Sequence, residues 1–177
     1  MTDETRTVRL VEAGSAAEFA AARILFEEYA RQIGTQMGID LGFQNFAAEL
    51  DQLPAMYGPP SGCLYLAICA DEWVGCCALR RFGEGVCEMK RLYIKPKNRG
   101  AKLGHRLAES VVAKARSLGY QRMVLDTAAE MVTAQTLYRS LGFRDTAAYY
   151  FNPMEGVSYM ELDLNSIRDI TPTVPRS

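Results

Sequence analysis

The chain has 177 residues, the usual size of one domain and enough to bury a hydrophobic core. Hydrophobic residues make up 49% and charged residues 23% of it, which excludes a disordered or collagen-like chain. Twenty basic residues stand against 21 acidic residues and give a formal net charge of −1. The overall basicity that is typical of nucleic-acid-binding domains is therefore missing.

The cysteines and the apolar runs indicate where the protein works. Five cysteines without a C-x-x-C pair argue against the disulfide framework of a secreted protein, and we expect them to be small buried residues. The polar, acidic first residues do not form a signal peptide, and the longest apolar run, 63–70, is too short to span a membrane. We expect a reduced, soluble, cytoplasmic protein with no membrane partner.

The first half of the chain predicts one strand, two helices and three strands. The first strand covers 7–11. Ser15 and Glu18 then form a capping box that opens a helix, which we expect Gly34 to end. The remaining elements of this half are a short helix at 43–53 and strands at 63–70, 73–81 and 86–94.

The second half predicts a helix at 103–118, a strand at 122–127, a helix at 134–141, closing strands at 143–151 and 158–164, and a polar, frayed tail at 166–177. The order is β-α-α-β-β-β-α-β-α-β-β. The strand–helix–strand unit at 87–127 requires a parallel pair, whereas hairpins make the other neighbours antiparallel. We therefore predict one α/β domain over 1–177, with a core at about 7–164 and a mixed sheet flanked by about four helices.

A basic stretch between Glu88 and Glu109 contains no acidic residue. Its basic residues are Lys90, Arg91, Lys95, Lys97, Arg99, Lys102 and Arg106. The stretch leads into a predicted helix, where unpaired backbone N–H groups and the helix dipole favour anions, above all phosphates. The alternative interpretation is a solvated basic loop. Neither G-K-[ST] nor a complete G-x-G-x-x-G is present, so the common nucleotide motifs are not matched.

Two segments resemble the GNAT acetyltransferase superfamily. The run Glu88-Met-Lys-Arg-Leu-Tyr-Ile94, followed by Pro96 and Arg99-Gly-Ala-Lys-Leu-Gly104, is similar to the family's strand and its R/Q-x-x-G-x-G/A helix start. Downstream, Ala134-Gln-Thr-Leu-Tyr-Arg-Ser-Leu-Gly-Phe143 is similar to the A-x-x-L-Y-x-x-x-G-F segment. The order of elements from Val8 to Leu164 also matches, so the resemblance covers nearly the whole chain.

The resemblance implies where acetyl-CoA binds. Backbone groups of Leu92, Tyr93 and Ile94 would receive the pantetheine arm as an added strand. The pyrophosphate would be wrapped by the next loop and helix start, formed by Arg99, Gly100, Ala101, Lys102, Leu103 and Gly104, with His105 as a polar neighbour. Lys102 departs from the family pattern, which usually has glycine there; it either adds a cation or hinders approach to the backbone.

The resemblance also implies two catalytic residues. Tyr138 matches the family's tyrosine near the thioester sulfur, where a phenol can protonate the leaving thiolate; the alternative is a core aromatic that packs with Leu141. Glu88 lies where some members have a glutamate that accepts the proton of the substrate ammonium. The alternative for Glu88 is an ion pair with Lys90 or Arg91.

The acceptor side is less defined. Its candidates are Gln36, Phe43, Arg91, Tyr150 and Asn152, and Arg91 or Lys90 could pair with an acceptor carboxylate. With one histidine, we expect no metal site. We predict an acetyl-CoA-dependent N-acetyltransferase for a small or amino-acid-like amine, a monomer or homodimer without nucleic acid. The alternatives are a non-catalytic acyl-CoA-binding or sensing module and a nucleic-acid-binding domain.

Overall fold

A computed structural model describes residues 7–100 and 102–166 and contains a seven-stranded mixed sheet. The strands are β1 Val8–Glu12, β2 Cys63–Cys69, β3 Glu72–Gly83, β4 Val86–Ile94, β5 Arg122–Thr127, β6 Arg144–Asp145 and β7 Ser158–Asp163. Their order in the sheet is β1-β2-β3-β4-β5-β7-β6. Only β4 and β5 pair in parallel; the other neighbours are antiparallel. The predicted mixed sheet with one parallel pair is confirmed.

The helices are α1 Ala16–Met37, α2 Phe46–Asp51, α3 Leu53–Tyr57, α4 Leu103–Ser117 and α5 Val132–Leu141, with 3-10 turns at Leu41–Gln44 and Pro96–Asn98. The capping box is confirmed: the Glu18 N–H donates to Ser15 Oγ at 3.3 Å and the Ser15 N–H donates to Glu18 Oε2 at 2.8 Å. The prediction that Gly34 ends α1 is wrong. Gly38 ends it instead, in the left-handed conformation (φ 67°) that glycine adopts without strain.

Two other predicted elements differ from the structure. The helix predicted at 43–53 is divided into α2 and α3, because Asn45 adopts a left-handed conformation and Pro54 begins a new turn. The strand predicted at 143–151 is only β6, Arg144–Asp145. The chain then leaves the sheet because Tyr149 and Tyr150 pack against Tyr159 of β7, with ring centroids 5.5 and 5.9 Å away. Most of the predicted tail, from residue 167 on, lies outside the described residues.

The sheet has an apolar core on each face. Helices α4 and α5 cover one face, and α1 and α3 cover the other. Cys76 and Cys77 belong to opposite cores because neighbouring residues of a strand point to opposite sides. All five cysteines are buried and unbridged, as predicted. Within residues 7–100 and 102–166, no helix is long and apolar enough to cross a membrane.

The parallel pair β4–β5 separates soon after it forms. Its register runs only from Val86 opposite Arg122 to Glu88 opposite Val124, although β4 continues to Ile94 and β5 to Thr127. A bulge lies where β4 diverges, and Arg91 in it has a left-handed backbone (φ 57°). The two strands therefore open like a V, and the edge of β4 beyond Glu88 faces the opening without a strand partner in β5.

Candidate active site

The opening between β4 and β5 forms a groove of about 800 Å³. Its floor is the second half of β4, and its walls come from α1, the start of α4, the end of β5 and α5. Leu92, Tyr93 and Ile94, the residues expected to offer backbone groups to a ligand, all line it. An extended ligand could add to this free strand edge, because the backbone groups that β5 leaves unpaired point into the groove.

The start of α4 closes one end of the groove. Arg99, Gly100 and Lys102, together with Leu103, Gly104 and His105, line it, and Ala101 lies outside the described residues. Lys102 is the residue before the helix and has a left-handed backbone (φ 54°), which explains why glycine suits this position in the family. The unpaired N–H groups of the first turn make this end suitable for an anion.

Most cations of the basic stretch are paired in the structure. Four have a carboxylate partner: Lys90 with Glu88, Arg91 with Glu49, Lys95 with Glu28 and Lys97 with Glu72. Arg99 and Lys102 have no such partner in the described part of the chain, and both line the groove beside the start of α4. The positive charge available to an anion is thus concentrated at the helix N-terminus. His105 pairs with Glu109 through Nδ1 at 3.2 Å.

Tyr138 lies on α5 and also lines the groove. The centroid of its ring lies 5.7 Å from that of Phe143, and the residue belongs to the core that includes Leu141. Tyr138 therefore lines the groove, as a proton donor would, and also packs in the core, as the alternative interpretation predicted. Its hydroxyl has no hydrogen-bond partner among residues 7–100 and 102–166. Burial raises the pKa of Tyr138 well above its ordinary value, so the phenol is protonated at neutral pH.

Glu88 is held behind the groove by three partners. Its side chain is 1% exposed; Oε2 accepts from Arg80 Nε at 2.7 Å, and Oε1 accepts from the Tyr149 hydroxyl at 2.9 Å and lies 3.6 Å from Lys90 Nζ. Glu88 is not among the described residues that line the groove. The ion pair expected as the alternative forms with Lys90, and the additional pair forms with Arg80 rather than Arg91.

Lys90 lines the groove on the face of the sheet that α1 covers. Its Nζ donates to Gln44 Oε1 at 3.3 Å, and Gln44 in turn donates from Nε2 to the Tyr150 hydroxyl at 3.0 Å. Burial lowers the pKa of Lys90, while the carboxylate of Glu88 acts in the opposite direction. Arg91 is less available to a ligand than expected, because Glu49 binds its guanidinium at two points.

Asp126, at the end of β5, was not identified from the sequence. Its Oδ2 accepts from the Tyr150 hydroxyl at 2.7 Å and from Asn152 Nδ2 at 3.0 Å. Asp126 and Asn152 line the groove, and Tyr150 stands behind them. The available signal was an acid directly after the apolar run 123–125. Nothing in the sequence indicated that Glu49 is buried, because an acid in a short helix is usually exposed. Of the remaining acceptor candidates, Gln36 and Phe43 line the groove.

Thr127 follows Asp126 and is 5% exposed; its Oγ1 is buried and has no hydrogen bond in the described structure. Buried hydroxyls are normally bonded, so this atom is an exception among the residues that line the groove. Across the described ranges, no group of three or more His, Cys, Asp or Glu side chains could hold a metal ion.

Comparison with known proteins gives consistent matches. A model of the acetyltransferase (GNAT) family matches residues 23–143. An uncharacterized N-acetyltransferase of Schizosaccharomyces pombe is 42% identical over 147 residues, 81% of this chain and 86% of the relative. Human N-acetylaspartate synthetase is 34% identical over 91 residues, 51% of this chain and 30% of that protein.

A solved structure from Salmonella typhimurium, described as an acetyltransferase with its cofactor acetyl-CoA, has a TM-score of 0.64 with this chain. The two are 20% identical, and the match covers 91% of this chain and 96% of the other. At that identity the likeness shows a shared fold.

Proposed function

This chain belongs to the GNAT family of acetyltransferases, and we propose that it transfers the acetyl group of acetyl-CoA to the primary amine of a small, amino-acid-like acceptor. The observation that carries the proposal is the divergence of β4 from β5 beside the start of α4. It provides a free strand edge next to a helix N-terminus with two cations, Arg99 and Lys102, that have no carboxylate partner among the described residues; Arg99 Nε donates to the Ile94 carbonyl at 3.2 Å. An extended molecule with a phosphate end fits both features.

The residues fit acetyl-CoA along its length. The pyrophosphate would lie at the start of α4 between Arg99 and Lys102, and the pantetheine arm would lie along Leu92–Ile94. Acetyl-CoA supplies a thioester whose carbonyl carbon accepts the amine nitrogen and whose sulfur leaves as the thiol. Backbone N–H groups of β4 would polarise that carbonyl.

Tyr138 is our candidate for the acid. It lies on α5 among the residues that line the groove, and its hydroxyl is protonated at neutral pH and has no competing partner in the described structure. It would donate the proton that the departing sulfur needs. Glu88, the expected base, has a different geometry: both of its oxygens are bonded and it lies behind the groove wall. Its contacts support a role in holding Lys90 in place.

The charges on the α1 side support an acceptor with its own carboxylate. Arg91 pairs with Glu49 at 2.6 Å and Arg80 with Glu88 at 2.7 Å, whereas Lys90 lies 3.6 Å from Glu88, so Lys90 is the cation of this group most available to an acceptor. The Lys90 ammonium has three protons; Gln44 accepts one of them, and Glu88 Oε1 lies 3.6 Å away, beyond hydrogen-bond distance. An acceptor carboxylate could accept one of the remaining protons. The partial likeness to N-acetylaspartate synthetase is consistent with an acceptor of this kind.

The test is a panel of L-amino acids and their matching amino alcohols, incubated with acetyl-CoA while free thiol is measured. We expect the amino acids to be acetylated at the higher kcat/KM, and Lys90→Met to remove most of that preference by raising KM for the amino acids alone. No thiol release with any amine would refute the proposed function. Equal rates for amino acids and amino alcohols would refute only the acceptor class.

A further inference from the structure

We infer that Asp126 is the catalytic residue that binds the acceptor's ammonium group and removes its proton. The inference rests on the proposed function and adds the group that makes the amine nucleophilic. A primary ammonium is almost fully protonated at pH 7 and has no lone pair with which to attack a thioester. The site therefore needs a carboxylate that reaches the groove, and Glu88 does not reach it.

Asp126 has the position that this task requires. It is the last but one residue of β5 and lines the groove on the wall opposite the free edge of β4, along which the proposed thioester would lie. Tyr150 and Asn152 both donate to Oδ2, which fixes the plane of the carboxylate. Oδ1 has no hydrogen bond within the described part of the chain and is the free acceptor for an ammonium proton.

The other acids near the groove fit less well. Glu88 is 1% exposed and its Oε1 and Oε2 are occupied by Tyr149, Lys90 and Arg80. Glu130 lines the groove but lies on the exposed turn before α5, where water competes for an ammonium. Asp126 is half-buried, and attraction between charges is stronger where water is partly excluded. It is the best placed of the three.

Lys90 and Asp126 carry opposite charges in the groove without forming an ion pair within 4.0 Å, so each can bind a group of the acceptor. Lys90 bonds Gln44 and Asp126 bonds Tyr150, and the Gln44–Tyr150 hydrogen bond joins the two. A molecule with a carboxylate and an ammonium group would bind between them with the carboxylate at Lys90 and the ammonium at Asp126. The same arrangement disfavours acceptors that lack either charge.

The proton balance of the step is complete. One ammonium proton moves to Asp126, and the amine's lone pair forms the C–N bond to the carbonyl carbon while the C–S bond breaks. The sulfur takes the Tyr138 proton, and the second proton lost by the nitrogen restores the phenol. The products are an N-acetylated acceptor and free CoA thiol, and Asp126 then releases one proton to water.

The pH dependence of this step involves several groups around Asp126. Its carboxylate acts on Tyr29 of α1, Lys90 of β4, Tyr138 of α5, and Tyr149 and Tyr150 of the loop before β7. Burial and then the charge of Asp126 raise the pKa of Tyr150, so this phenol stays protonated and continues to donate to Oδ2. When the carboxylate is removed, the neutral fraction of the acceptor amine limits the rate, and this fraction rises with pH over the range from 7 to 9.

The variant Asp126→Asn tests the inference, because the amide keeps an oxygen for Tyr150 and Asn152 but cannot take a proton. The control is Asp71→Asn, which makes the same change on the exposed turn between β2 and β3. The assay is thiol release from acetyl-CoA with the best amine of the panel, at pH 6 to 9. Melting temperatures show whether both variants fold.

We expect kcat/KM of Asp126→Asn to fall about 100-fold or more at pH 7 and to rise about tenfold per pH unit, as the neutral amine fraction rises. Wild type and Asp71→Asn should depend much less on pH. A loss without recovery at high pH would overturn the inference, as would activity within threefold of wild type. If the wild type acetylates no amine, the proposed function fails first and the inference fails with it.

Discussion

Glu49 of α2 holds Arg91 of β4 at two points, with Arg91 Nε 2.9 Å from Oε1 and Nη2 2.6 Å from Oε2. Both side chains are at most 4% exposed, and the guanidinium also lies 5.2 Å from the ring of Phe46. The backbone of Arg91 is in the left-handed region, which costs a non-glycine residue about 1–2 kcal/mol. The ion pair thus fixes the bulge at which β4 leaves β5, and with it the shape of the groove.

The variant Glu49→Gln should be strongly destabilised. Removing one partner of a buried ion pair leaves an uncompensated charge and costs about 3–5 kcal/mol. The control is Glu27→Gln, which breaks an exposed pair with Arg23 and should cost under about 1 kcal/mol. Urea unfolding measures both. Similar losses for the two variants would show that the buried pair does not secure the bulge.

The same pair predicts how stability depends on pH. Burial alone would raise the pKa of Glu49, but the hydrogen bonds and charge of Arg91 hold it below its ordinary value of 4.5. A carboxyl whose pKa is lower in the folded state contributes stability that is fully present above pH 4.5 and is lost as the pH falls through the folded-state pKa. The difference in unfolding free energy between wild type and Glu49→Gln should therefore shrink below pH 4.5. A difference that stayed constant down to pH 3 would contradict this.

Arg99 should dominate the binding of the CoA phosphates. Arg99→Glu places a negative charge at the start of α4 and should weaken CoA binding at least tenfold, with less effect at high salt because exposed charges are screened. Arg106→Glu is the matched control: it reverses a charge of the same stretch that donates only to the exposed carbonyl of Val8. Calorimetry at two salt concentrations gives both dissociation constants. Equal weakening by the two variants would mean that only the overall charge matters.

Two variants of Lys102 test whether its side chain binds the CoA phosphates or hinders their approach to the backbone. Lys102→Gly relieves left-handed strain of about 1–2 kcal/mol but adds chain flexibility worth about 0.5–1 kcal/mol, so stability should hold or rise slightly. If the ammonium contacts the phosphates, CoA binding should weaken about 3–10-fold. Lys102→Asn also tolerates this backbone and removes the charge, so it should weaken binding equally. Tighter binding by Lys102→Gly would mean that the lysine obstructs the backbone.

Tyr138→Phe should lower kcat about 100-fold or more with little change in KM for acetyl-CoA, because the lost proton donor acts in the transition state. Stability should hold, since this hydroxyl has no partner in the described structure. Tyr120→Phe gives the opposite pattern: it removes a 2.6 Å bond to the Ser61 carbonyl, so stability falls while kcat stays. Because a slow step other than transfer could hide the effect on kcat, the rate of the transfer step itself is measured by rapid quench. An unchanged transfer step in Tyr138→Phe would remove this residue from the mechanism.

The sequence predicted the sheet and the phosphate end of the groove because both depend on local signals. Short apolar runs bounded by turn residues mark the central strands, and the glycines with the basic stretch mark the start of α4. The acceptor side depends on contacts between distant segments, such as Gln44 with Tyr150 and Tyr149 with Glu88. No local pattern shows that residues 146–151 leave the sheet to make those contacts. For that reason Glu88 was expected in the groove and Asp126 was missed.

The most direct test of the account uses acetyl-CoA that carries an isotope label in its acetyl group. The protein is incubated with this donor and the amino acid panel, and the products are identified by mass spectrometry. The account predicts that the label appears as an amide on the nitrogen of at least one amino acid, with an equal amount of free CoA. Label that stays in acetyl-CoA, or that appears only as acetate, would contradict the claim that this groove transfers acetyl groups to amines.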